Sequence, residues 1–114
     1  MDDLLRDDDV LLVLTTVADE ADATRLAHEA VELGLAACVT RLPGARSVYR
    51  FEGKLHDDVE LLLLIKTRRA RYTALEAWLS DAHPYDVPEI LALPASDVAA
   101  PYARWLLEQT RGGG

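Results

Sequence analysis

Residues 36–52 read as extended chain that is too long for the small body around it, and this constrains the fold more than any other feature of the 114-residue sequence. Ala36 to Leu42 favours strand. Ser47 to Glu52 does too, with Tyr49 and Phe51 alternating against Val48, Arg50 and Glu52. Between them Pro43-Gly44 marks a turn or a bulge. Fully extended, the stretch spans roughly 55 Å at about 3.3 Å per residue. Gly53-Lys54 begins a hairpin turn, and Val59 to Thr67 returns over about half that length. A hairpin with apolar residues near its tip and an unpaired edge invites aggregation unless another chain covers it. Closed cyclic assembly, with strand addition between subunits, is the economical way to provide that cover.

The remaining pattern sets the fold class. Val10 to Val17 is apolar and too short for a buried helix, so it reads as a central strand. Asp19 is placed to cap a helix whose apolar positions are Leu26, Ala27, Ala30, Val31 and Leu33, and Gly34 ends it. A second helix is expected from about Arg69 to Ala82, stopped by His83-Pro84. Val87 to Leu93 reads as a fourth strand, and Asp97 to Thr110 as a last helix. The order is β-α-β-β-α-β plus a terminal helix, an α+β fold of the ferredoxin-like split βαβ type. Right-handed crossovers place both main helices on one face of a four-stranded antiparallel sheet. Residues 1–9 carry five aspartates and read as an acidic flexible tail, residues 10–110 as one domain, and residues 111–114 as a second flexible tail.

Composition excludes several partners. A net charge of −8 argues against nucleic acid and anionic membrane. No secretory signal and no apolar run of membrane-spanning length is visible. A single cysteine, Cys38, rules out an internal disulfide and fits a reducing, cytoplasmic setting.

Read together, Ala36-Ala37-Cys38-Val39-Thr40, Pro43-Gly44, Ser47-Val48-Tyr49, Phe51-Glu52-Gly53-Lys54, Glu60, Lys66-Thr67, His83-Pro84-Tyr85, Pro88-Glu89 and Tyr102 with Trp105-Leu106 resemble the CutA family of divalent-cation tolerance proteins. The resemblance runs from about Val10 to Thr110. It implies a homotrimer, with three sheets around an axis and hairpins reaching onto neighbours. It also implies an architecture similar to the PII signalling proteins, which bind small effectors between subunits. Copper-binding members carry a cysteine near the end of the first strand and two consecutive histidines before Pro-Tyr. Here those positions hold Thr15, Ala82 and His83, so one of three ligands survives.

The function implied is divalent-cation tolerance, with weak binding of Cu²⁺ or a similar ion through His83 and Cys38. Cys38 is either a soft copper ligand or a strand cysteine packed as a small hydrophobe. His83 is either a metal ligand or a cap on the second helix. An alternative is a small-effector sensor or a scaffold for a partner protein. In it Lys66, Tyr85 and Glu89 line a cleft between subunits; otherwise Lys66 pairs with Glu60 or Glu89 and Tyr85 simply packs. Tyr49, Phe51 and Trp105 are expected at the trimer interface. Catalysis finds no support: Ser47 has no base beside it in a nucleophile elbow, and no Gly-rich phosphate loop is present.

Overall fold

The structure is a computed structural model that describes residues 6–111. The ends of both expected tails, residues 1–5 and 112–114, lie outside the described residues. Seven elements follow in the order β1 (Val10–Val17), α1 (Glu20–Glu32), β2 (Cys38–Phe51), β3 (Lys54–Arg68), α2 (Arg69–Ala82), β4 (Leu91–Pro94) and α3 (Ala100–Gln109). The four strands form one sheet in the order β2-β3-β1-β4 with antiparallel pairings throughout. This is the split βαβ arrangement the residue pattern predicts.

Local chemistry explains each boundary. The Asp19 carboxylate accepts the Asp22 N–H at 2.9 Å, and Glu20 and Asp22 add negative charge to the first turn of α1. Gly34, with φ of 71°, closes that helix. Its N–H bonds the Val31 carbonyl and the Leu35 N–H bonds the Ala30 carbonyl, a Schellman ending. No side chain caps α2. Instead the Asp9 carbonyl takes the Arg69 N–H and the Asp7 carbonyl takes the Ala70 N–H, both at 2.9 Å. Residues 6–9, expected as part of a tail, thus form a turn that satisfies the free donors of a helix start. Arg68 adds an ion pair to Asp8 at 2.9 Å.

The core lies between the sheet and the two long helices. Leu11, Val13 and Val17 of β1 and Leu61, Leu63 and Ile65 of β3 point toward Ala23, Leu26 and Ala30 of α1 and Leu75 and Leu79 of α2. All are 7% exposed or less. Alternation sends Leu12 and Leu14 of β1, and Leu62 and Leu64 of β3, to the other face. Register places Leu42, Leu91 and Leu93 beside them. Those last three are 45%, 55% and 48% exposed, so the far face of the sheet is leucine-rich and half open in a single chain.

Four boundaries differ from the sequence pattern. First, β2 is continuous, and Pro43-Gly44 is absorbed as an irregularity in register between Leu42 and Ala45. Gly44 takes a φ of 81° there, which a residue with a Cβ avoids. Second, β3 starts at Lys54, so the two hairpin strands have 14 and 15 residues and are matched in length. The turn is Glu52-Gly53, with φ of 51° and 79°, and Phe51 pairs directly with Lys54. The polar run 56–58 conceals this strand, but each side chain has a cross-strand partner. His56 stacks on Tyr49 at 5.0 Å, Asp57 pairs with Arg46 at 3.1 Å, and Asp58 accepts from the Tyr49 hydroxyl at 2.6 Å. Third, β4 is only four residues long. Pro88 has no N–H to give a ladder, and residues 85–89 run along a cleft instead. Fourth, α3 begins at Ala100, because Pro101 fits only a first turn.

β1 covers β3 only from Leu61 onward. Residues 45–60 therefore project as a ribbon that, among the described residues, has two strands and no third. Val48, Leu55 and Val59 on it are more than half exposed, and Tyr49 and Phe51 nearly so.

Candidate functional site

The corner that holds Thr15, Ala82 and His83 is built from the end of β1 and the end of α2. His83 is the residue that stops α2, and its N–H bonds the Leu79 carbonyl at 2.9 Å. The residue is 7% exposed. The Tyr85 N–H donates to Nδ1 at 3.1 Å. That leaves Nε2 as the protonated nitrogen, and it donates to the Thr16 carbonyl at 3.0 Å. Both nitrogens are engaged and the ring is held neutral. Burial pushes its pKa below the ordinary 6.5, against the smaller pull of the Thr16 carbonyl, Asp22 and Glu60. Beside it the last carbonyl of α2, Ala82, accepts from Arg25 at 3.0 Å. Thr15 is fully buried, and among the described residues its hydroxyl has no hydrogen-bond partner. A cysteine at that position leaves no oxygen to satisfy.

Cys38 is elsewhere. It sits opposite Lys66, which in turn faces Leu12, whereas the His83 contact is at Thr16. Four residues along a strand separate the two levels, roughly 13 Å. Lys66 donates to the Thr40 hydroxyl and lies 3.7 Å from the Cys38 sulfur. Its partners are thus Thr40 and Cys38, not the Glu60 or Glu89 expected for a structural ion pair. Among the described residues no three His, Cys, Asp or Glu side chains converge as a metal-binding group.

Tyr85 and Glu89 do meet in a cleft, without Lys66 in its lining. The cleft measures about 760 Å³ and opens where the ribbon leaves the body. The ribbon supplies Tyr49, Phe51, Asp58 and Glu60, and the loop after His83 supplies Asp86 and Val87. The Tyr85 hydroxyl donates to Glu60 Oε2 at 2.7 Å. Burial, and then Glu60 itself, drive the Tyr85 phenol far above its ordinary pKa, so it stays a donor. Tyr49 is also raised, chiefly by its hydrogen bond to Asp58. The sequence reading did not combine Glu60, Asp58 and Tyr49 into one site. The signal was available in Glu60, a charged residue in phase with Leu62 and Leu64 just ahead of an apolar run.

An α+β sheet with one face under two helices, one face open and a projecting ribbon defines the class of protein. The CutA1 divalent ion tolerance protein family model matches residues 11–109. A divalent-cation tolerance protein CutA from Pectobacterium atrosepticum is 48% identical over 98 residues, 86% of this chain and 89% of its own. The crystal structure of CutA1 from Oryza sativa superposes with a TM-score of 0.88 at 41% identity, covering 92% of this chain and 96% of that one. A protein from Archaeoglobus fulgidus, described as a periplasmic divalent cation tolerance protein, superposes at 0.86 with 26% identity over 90% and 99% of the two chains. The chain belongs to the CutA1 divalent ion tolerance family.

Two outcomes are expected at the His83 corner. Thr15→Val removes the unpartnered hydroxyl while keeping the shape, and should raise stability in denaturant titrations at equal protein concentration by about 1 kcal/mol. An unchanged or lower midpoint would mean the hydroxyl is satisfied. The second outcome concerns pH. His83 has a lowered folded pKa, so its contribution is present above about 6.5 and is lost as pH falls toward the folded value. Thermal melts between about pH 7 and 5 should show a steeper loss in wild type than in His83→Gln. Parallel curves would exclude His83 as the source.

Proposed function

We propose that this chain serves tolerance to divalent cations as a homotrimer in which neighbouring protomers cover the leucine face of the sheet and the ribbon. The observation that carries this reading is the half-open face around Leu42, Leu91 and Leu93. A contiguous leucine surface of this kind on a soluble domain marks an interface. Tyr49, Phe51 and Trp105, each between 41% and 46% exposed, are the aromatic contacts assigned to the same assembly. The role is one of binding and assembly. The cytoplasmic placement rests on the unpaired Cys38; the Archaeoglobus relative is described as periplasmic.

Copper contact is proposed at His83, with Cys38 as a separate soft contact. An ion at His83 has to displace either the Tyr85 N–H or the Thr16 carbonyl from the ring. With Thr15 and Ala82 in place of further ligands, such binding is weak.

Sedimentation at micromolar concentration should give a species near three times 12.6 kDa. Leu42→Asp, which puts a charge on the open face and leaves the helix-side core intact, should shift it toward 12.6 kDa. A folded wild-type monomer would end the trimer reading. Calorimetry with Cu²⁺ should give weak binding that falls about tenfold in His83→Ala. Identical isotherms would remove His83 from the site.

A further inference from the structure

We infer, resting on the homotrimer proposed above, that Lys54 at the ribbon tip of each protomer pairs with Glu60 in the cleft of the next. Side chains alternate along β3, so Lys54, Asp58, Glu60, Leu62, Leu64 and Lys66 share one face. Leu42 pairs with Leu62, and Leu91 and Leu93 pair with Leu14 and Leu12, so this is the half-open leucine face. On it Glu60 is the charge that one chain leaves incomplete. The residue is 6% exposed, and its Oε2 takes the Tyr85 hydroxyl at 2.7 Å. Among the described residues nothing donates to Oε1, and no ion pair includes Glu60. The cleft adds Asp58, Asp86 and Glu89, with no Lys, Arg or His in its lining. A carboxylate buried without a cation is costly. Once a neighbouring protomer covers this face, that protomer has to bring the cation.

Arg50, Lys54 and Lys66 lie on the ribbon or on this face with no carboxylate partner among the described residues. Arg50 alternates to the other side of the ribbon, opposite Leu55. Lys66 is held by Thr40 and lies 3.7 Å from the Cys38 sulfur of its own chain. Lys54 is exposed and in phase with Glu60. Its own Glu60 stands six residues further along the same strand, roughly 20 Å away, so the pair closes only between chains. The ribbon also carries Lys54 away from its own body, beyond the point where β1 stops covering β3 at Leu61. Tip and cleft are different surfaces, so each contact is head to tail, and contacts of that kind generate rings. One tip and one cleft per protomer then satisfy every Glu60. A charge pair in such a place fixes register and choice of partner more than raw affinity.

Two measurements on the full-length protein test the pair. A water-soluble carbodiimide joins an amine to a carboxylate only where they touch, and the chain has two lysines, Lys54 and Lys66. Treated wild type should run on a denaturing gel as linked chains and yield a Lys54–Glu60 peptide by mass spectrometry. Lys54→Arg keeps the charge, so it should sediment as wild type does and lose the link. The second measurement is the protein concentration at which the assembly dissociates. Lys54→Glu sets like charges together and should raise it at least about tenfold, and adding Glu60→Lys to complete the swap should recover most of that loss. Arg50→Glu, on the other side of the ribbon, should change it by less than about twofold. Lys54 and Arg50 are exposed, so neither change endangers the fold of the protomer. A Lys54–Glu60 peptide, or rescue by the swap, carries the pair. A wild type that assembles as a trimer, gives no such peptide and shows no rescue would overturn the pair and leave the trimer standing. A wild-type monomer would overturn both.

Discussion

A four-stranded sheet with two apolar faces, one under α1 and α2 and the other half open, governs this molecule. Over the stretch where they pair, β1 and β3 are mostly Leu, Val and Ile, so both faces of the sheet centre are largely apolar. The chain places α1 and α2 over Leu11, Val13, Leu63 and Ile65, and leaves Leu12, Leu14, Leu62 and Leu64 to the opposite side. Burial of one face is worth a great deal, at about 25 cal/mol per Å². The other face is only half covered within the chain, with Leu42, Leu91 and Leu93 left exposed. The ribbon sharpens the problem, because its third-strand position is empty beyond Leu61.

Much of this was legible in the residues. Caps such as Asp19, the Gly34 stop and the Pro84 stop are short-range signals, and they fix α1 and α2 closely. The errors fell where tertiary context outweighs local pattern. His56, Asp57 and Asp58 look like a loop because polar runs usually are one. They are strand because Tyr49 and Arg46 sit across from them and satisfy them pairwise. Of the turn or bulge that Pro43-Gly44 signals, the structure has the bulge, since β2 is an edge strand that tolerates a missing donor there. For the site, Tyr85 and Glu89 line one cleft within the chain, while Lys66 lies six residues along β3 from Glu60 and bonds Thr40.

The His83 corner and the cleft share a loop yet have opposite character. At His83 every polar atom of the ring is matched by backbone, so the corner is closed and neutral. In the cleft, a few residues on, carboxylates crowd a half-apolar hollow with no basic side chain among its walls. Thr15 lies under the first and carries an orphan hydroxyl. A position that suits a thiol sterically is thereby held by a group that needs a partner the core does not offer.

The turn at Asp7–Asp9 has an outcome of a different sort. Because its carbonyls close the start of α2, the peptide just ahead of β1 is mechanically continuous with a helix 60 residues later in the chain. A label, linker or fusion partner joined directly before Asp7 would compete for the geometry that holds Arg69 and Ala70. The ribbon turn at Glu52-Gly53 touches nothing comparable, which makes it the gentler place to attach a reporter to a single isolated chain.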